Sequence, residues 1–263
     1  MFKRSEDIIL NNFQNKYSDI IQILYSQIDT YSQMFSTLSG LKILLNPLQA
    51  GINVFLAKNL SFLVNSFNLF SKGYVSEAHS LMRSVIEGIV YSLFFVSFPQ
   101  EYEIYAKYTS EGEGYIKFTK YLRKKYKKDS SYTDLLLELI DENANLLTEK
   151  ESSFSFKKNI SIYISEFSKF IHSDIMYAVG SLFLEDKNDG SKMLALGPKE
   201  IGEEFVIEYF ATIIHVLGFT FFTFERAIPV EGRRNLDPLF QKVKEKAKES
   251  QELLKKWKET IKN

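Results

Sequence analysis

Three side chains suited to handling charge recur at helical spacing in one stretch of the chain. His79, Arg83 and Glu87 stand at i, i+4 and i+8, with Ser80, Ser84 and Tyr91 beside them. Residues four apart are neighbours on a helix surface, so Arg83 and Glu87 can touch. Arginine brings a permanent charge and a planar fork of donors that fits phosphate or carboxylate. The plain alternative is a solvated stripe with a surface ion pair worth roughly 0–1 kcal/mol. Against it, the remaining faces of this helix are strongly apolar, which marks an internal helix, and a buried arginine requires a dedicated partner. Glu87 is the nearest one.

Two further groups carry chemistry. Ser168 and His172 are four apart, so a hydroxyl and an imidazole share a helix face; histidine titrates near neutrality and serves as general acid or base. The plain reading is a histidine placed favourably at a helix end. Glu204, Glu208, Thr212 and His215 also share a face. Glu208 and His215 are about 10.5 Å apart along the axis, too far to bond directly, and the four read as a buried structural network. Finally, Lys120-Tyr-Leu-Arg-Lys-Lys-Tyr-Lys-Lys128 holds six basic residues in nine. Its two tyrosines could stack on bases and its charges could meet phosphates, although basic residues at a helix C-terminus are favoured by the dipole alone.

Much chemistry is excluded. The chain has no cysteine, which removes disulfides, thiolate nucleophiles and cysteine-ligated metal centres. No Walker loop, Gly-x-Gly-x-x-Gly, Gly-x-Ser-x-Gly or His-Glu-x-x-His occurs. None of the three histidines follows a glutamate by three residues, so a carboxylate-bridged metal pair on a bundle is not expected, and no metal or cofactor is assigned. With 33 basic and 33 acidic residues, the chain lacks a whole-protein footprint for nucleic acid. The N-terminal residues run into an amphipathic helix rather than an apolar signal segment, which points to the cytoplasm. Ile89 to Phe98 is too short to span a bilayer, and Phe205 to Phe224 carries Glu208 and His215; buried core helices are expected instead of membrane insertion.

The elements that must position these residues are helical from end to end. Leu10, Phe13, Tyr17, Ile20, Leu24, Tyr31, Met34 and Leu38 form a heptad seam, broken once by Gln27, and suit a helix over 5–38 packed lengthwise along another. Asn46-Pro47 starts a second helix that stops at Gly73. A third runs from Val75 to Ser97, antiparallel to the second because the connection is so short. Pro99 opens a fourth, Gln100 to Tyr126. Ser131 caps a fifth that reaches Leu147, and Thr148 to Ser155 is a linker. Ile160 to Ile171 makes a sixth helix. Asn188-Asp189-Gly190 marks a β-hairpin or ordered loop within 181–196. Pro198 to Ala227 is apolar nearly all round and therefore central, and Leu236 to Ile261 is an outer helix. The expected architecture is one all-α domain over 1–263 with about eight helices: a central bundle, 46–227, flanked by the helices at 5–38 and 236–261.

The runs Gly73-Tyr-Val-Ser-Glu-Ala78 and Leu81-Met-Arg83-Ser84-Val-Ile-Glu87, with Ser168-x-x-x-His172 downstream, resemble a widespread bacterial helical family of unknown function. Its members carry an Arg-Ser/Thr-x-x-Glu helix and a later Ser-x-x-x-His helix. The resemblance covers roughly Leu60 to Lys107 and Ile160 to Val179, less than a third of the chain. That family's helical arrangement is in turn similar to HEPN domains, which occur in toxins and other defence proteins, often as metal-independent ribonucleases. The order differs here: HEPN nucleases carry Arg followed shortly by His on one helix, whereas Arg83 is followed by Glu87 and preceded by His79. The resemblance implies a defence or stress protein, homodimeric, with RNA or a partner protein as its target. It points to Arg83, Glu87 and His172 as the expected catalytic residues; the residues beside them, Ser84, Ser168 and His79, and the basic run's Arg123, Lys124 and Lys125 are the expected substrate contacts. The competing expectation is a non-catalytic binding or sensor module that recognises a small anionic ligand or a partner protein.

Overall fold

Apolar residues at alternating spacings of three and four wind the first forty residues into two helices rather than one, α1 (Phe2–Lys16) and α2 (Ser18–Gly40). They meet in a bend at Tyr17, whose ring packs against Phe13, Phe210 and Trp257. The helical ladder continues through the bend, because Tyr17 and Ile21 donate to Phe13 and Tyr17 carbonyls at 3.0 and 3.1 Å. Then follow α3 (Pro47–Ser71), α4 (Val75–Ser97), α5 (Pro99–Ser110), α6 (Gly114–Tyr126), α7 (Tyr132–Glu142), α8 (Phe156–Ile171), α9 (Glu203–Ala227) and α10 (Val230–Lys262). A pair of three-residue antiparallel strands, β1 (Phe183–Glu185) and β2 (Lys192–Leu194), lies between α8 and α9 with Leu184 opposite Met193. This computed structural model describes residues 2–40, 45–112, 114–143, 155–171, 183–185, 192–194 and 201–262. The expected turn Asn188-Asp189-Gly190 lies outside them.

The architecture is all-α. Ten helices occur among the described residues instead of about eight, because two expected helices are each divided: the first at Tyr17, and the fourth after Ser110, where Gly112 takes a φ of +77° that a helix cannot continue through. Other boundaries also move. The helix expected to reach Leu147 ends at Glu142. α8 begins earlier than Ile160, since Ser155 caps Lys158 N at 3.0 Å and Asp141 accepts from Phe156 and Lys157 amides. The central helix starts at Glu203 rather than Pro198, and the last one starts at Val230 and contains Pro238.

The α3–α4 hairpin is fixed at both ends by local chemistry. Asn46 and Gln49 form a reciprocal capping box, with Pro47 in the first turn. At the other end Gly73, at φ +88°, donates to Phe70 and Tyr74 donates to Leu69, each at 2.9 Å; this is the paired closure that requires a left-handed residue after the helix. α4 then runs back along α3, with Ala78 beside Ser66 and Gly88 beside Asn59. Apolar side chains of every helix but α5, from Phe13 to Leu254, join in one buried cluster, and Tyr102, Ile104, Tyr105 and Tyr108 of α5 pack against it partly buried. Gln27, the interruption of the α2 seam, is fully buried and accepts a hydrogen bond from Ser250 of α10 at 3.4 Å. α4 and α9 are each long and apolar enough to cross a membrane by length and composition, and 50% and 56% of their apolar windows are buried among the other helices.

The α3–α4 crossing depends on a glycine. A β-carbon at Gly88 would stand 2.2 Å from Asn59 Oδ1 and 2.7 Å from its Cγ, and Asn59 is itself buried. Gly88→Ala is expected to destabilise the protein by about 2 kcal/mol through overpacking. Adding Asn59→Ala, which clears the space, is expected to restore most of that loss. Urea denaturation of the two single variants and the double variant reads the coupling; additive losses would show that the crossing is looser than this contact.

Candidate functional site

Four residues of α-helix turn through about 400°, so each step from His79 to Arg83 to Glu87 rotates the side chain by about 40°. That rotation separates the three. His79 falls on the buried face with Met82 and Ile86, while Arg83 and Glu87 reach the rim of α4. Arg83 Nε donates to Glu87 Oε1 at 2.9 Å, and the two side chains retain 23% and 32% exposure. The pair is therefore half-buried yet open to solvent. Ser84 is exposed next to it and its hydroxyl donates to the Ser80 carbonyl at 3.3 Å.

His79 is corrected from substrate contact to core residue. It is 6% exposed, its ring meets Phe70 and Tyr209 edge-on, and Nδ1–H donates to the Val75 carbonyl. Phe70 and Tyr209 stack at 3.7 Å. Below them Ser66 donates to the Ala78 carbonyl, which leaves its oxygen to accept from the Tyr209 hydroxyl. Burial holds the His79 imidazole down at a pKa of about 4, so it is neutral at physiological pH.

The direction of α8 bears on the other half of the site. Phe156 of α8 meets Phe219 and Phe222 of α9, whereas Tyr163 meets His215, so α8 and α9 are antiparallel. α9 is parallel to α4, because Tyr209 lies beside His79 while Val216 and Phe219 share a small apolar cavity with Ile86 and Ile89. It follows that α8 runs antiparallel to α4 and leads toward the end of α4 that carries Arg83. Ser168 lies in the last two turns of α8, with its side chain outside the described set, and His172 is the residue after α8 ends and lies outside the described residues.

On α9 the expected buried network is corrected. Glu204 and Glu208 are exposed, and only Thr212 is buried, donating to the Glu208 carbonyl at 2.9 Å. His215 Nδ1 lies 2.7 Å from the Tyr163 hydroxyl. Burial against α8, then the charge of Lys258, lowers the His215 pKa although part of the ring stays exposed. Sequence reasoning passed over Tyr163, since its position does not set it apart from the apolar stripe of α8. A groove of about 450 Å³ between α7 and α8 is lined by Asp134, Ser161, Ile162, Ile164 and Ser165, none of them an expected site residue.

The basic run divides into two classes. Arg123 points its Nε and Nη2 at the Ser130 carbonyl, at 3.1 and 2.7 Å. Lys128 pairs with Glu142 at 2.6 Å and Glu138 at 3.6 Å. Lys125 bonds Glu101, a side chain with no exposure at the start of α5, which also accepts from Tyr126 at 2.9 Å. The bond to Glu101 raises the Lys125 pKa, and burial followed by the same carboxylate pushes Tyr126 up to about 12. Arg123 and Lys125 thus each have a partner within the fold while keeping 39% side-chain exposure, and Lys124 is exposed with no such partner among the described residues. Glu101 lies 24 residues before Lys125, and no local pattern links them.

Among the described residues no three His, Asp or Glu side chains gather closely enough to hold a metal ion. Compared with models of known protein families, with curated proteins and with solved structures, the chain matches none.

Proposed function

We propose that the protein is a HEPN-like ribonuclease of bacterial defence or stress type that needs no metal, with Arg83, Glu87 and His172 as its catalytic residues. The observation that carries this reading is a solvent-open Arg83–Glu87 pair at the rim of a helix whose other face is buried in the core, toward the end to which α8, the helix just before His172, leads. On this reading the imidazole of His172 removes the proton of an RNA 2′-hydroxyl, the oxygen forms a bond to phosphorus, and the bond from phosphorus to the 5′ oxygen breaks. The leaving oxygen takes up a proton, and the products are a 2′,3′-cyclic phosphate and a 5′-hydroxyl. Arg83 stabilises the charge that builds on the phosphate oxygens, the task for which a preorganised guanidinium is suited. Glu87 orients Arg83, and Ser84 and Ser168 contact the substrate.

Chelator-resistant cleavage of an RNA pool, with single-stranded DNA of the same sequence left intact, is the expected result. DNA lacks the attacking hydroxyl, so equal cleavage of both would overturn the mechanism. The reading also expects a cytoplasmic homodimer, which sedimentation at micromolar concentration checks in part. The alternative, a non-catalytic binding or sensor module, draws on the engagement of Arg83 by Glu87 already present in the structure. Saturable binding of inorganic phosphate by folded protein that cleaves no RNA would support it.

A further inference from the structure

We infer that Lys120, Lys124 and Lys127 form a phosphate-contacting exosite that holds single-stranded RNA by its backbone, apart from the Arg83–Glu87 pair. The choice of RNA rests on the functional reading above; the choice of residues rests on what their neighbours do. Arg123 donates to the Ser130 carbonyl and stands 3.9 Å from Asp129, and Lys125 and Lys128 pair with Glu101, Glu138 and Glu142. Lys120, Lys124 and Lys127 are exposed, and no acidic side chain among the described residues pairs with them. Lys120 and Lys124 share a face one turn apart. Lys127 follows the last residue of α6 in a left-handed conformation, φ +53°, closed by a bond from Lys128 N to the Arg123 carbonyl at 3.2 Å.

Three uncompensated charges over about 10 Å of axis exceed what one phosphate neutralises and suit a repeating polyanion. The two tyrosines of the run are partly buried and already in contact with a charge of the fold. The Lys125 ammonium stands 5.4 Å from the centre of each ring, and the Tyr126 hydroxyl is held by Glu101. Contact through phosphates without stacking predicts binding with little base preference.

The exosite also selects for length. Phe118 of α6 packs on Phe94 and Phe95, and Tyr126 packs on Phe98, which places the lysines at the far end of α4 from Arg83. Fifteen residues of helix separate Arg83 from Phe98, about 22 Å. A dinucleotide cannot reach both places, whereas a strand of several nucleotides can. The substrate class is thus a single-stranded polyribonucleotide rather than a nucleotide or a short end.

The test is anisotropy of labelled RNA of about 20 nucleotides, titrated at several salt concentrations. It uses the Arg83→Ala protein, so that binding is read without cleavage. Lys120→Gln, Lys124→Gln and Lys127→Gln together are expected to weaken binding at least about tenfold and to flatten the salt slope by about 2. A control carrying Lys248→Gln, Lys255→Gln and Lys258→Gln on α10, equal in charge change, should bind within about twofold of its parent, and oligouridylate and oligoadenylate should bind alike. Equal losses in both triple variants, no salt-sensitive binding by their parent, or a base preference above about tenfold would each overturn the exosite. Binding that behaves as expected alongside a wild-type protein that cleaves nothing would remove the nuclease reading and leave the exosite standing.

Discussion

Cleavage of RNA by the Arg83→Ala protein is expected to fall about 100- to 1,000-fold, the range observed when one preorganised charge-stabilising donor is removed from an active site. His172→Ala should lose at least as much, since a general base contributes about 100- to 10,000-fold. Neither loss should come from unfolding. Arg83 and Glu87 keep 23% and 32% exposure, so solvent screening leaves their pair worth roughly 0–1 kcal/mol. In a chain of this size that is a shift in Tm of about 2–4 °C at most. Glu87→Gln should cost less, about tenfold, because an amide oxygen still accepts from Arg83 and only the strength of the charge-assisted bond is lost. Rates measured beside thermal melts check all three; full activity in either alanine variant removes that residue from the mechanism.

The second large effect is on stability in acid and comes from His79. Unfolded, its imidazole titrates near 6.5; in the fold, burial lowers that to about 4. Above pH 6.5 both states are neutral and stability is full. As the pH falls from 6.5 to 4 the unfolded chain takes up a proton that the native core refuses, so stability declines, by about 3 kcal/mol in total at 1.36 kcal/mol per unit. Below the folded value the native state is protonated too and this loss levels off. Comparison of urea midpoints at neutral pH and near the lower end of that window, for wild type and His79→Gln, isolates the histidine from the carboxylates that also titrate in acid. The variant should lose much less on acidification than the wild type. The same decline in both proteins would mean that His79 gains access to water or to a partner in the fold.

The contrast between His79 and Arg83 shows what a spacing rule can and cannot read. Both lie in one i, i+4 series, yet 40° of rotation per step places one in the core and the other at the rim, and only the packing of α3 and α9 decides where the boundary falls. Local chemistry was legible where it acts locally: Asn46-Pro47 and Gly73 mark the ends of α3 because a cap and a left-handed turn need those residues. Gln27 was visible as an interruption of a seam, and its partner Ser250 was not, since 223 residues separate them. The six charges of the basic run were countable, but which of them remain available depends on Glu101, Glu138 and Glu142, residues that the fold brings in from α5 and α7. Tyr17 has no helix-breaking character, so its bend was not legible in the sequence.

The most direct test of the central claim is a double-mutant cycle on kcat/KM for RNA cleavage, made with wild type, Arg83→Ala, His172→Ala and the combined variant. Residues that act in one catalytic step are strongly non-additive. The account predicts that the combined variant is no slower than the slower single variant. Losses that multiply, or the absence of cleavage by folded wild-type protein, would contradict a shared site at Arg83 and His172.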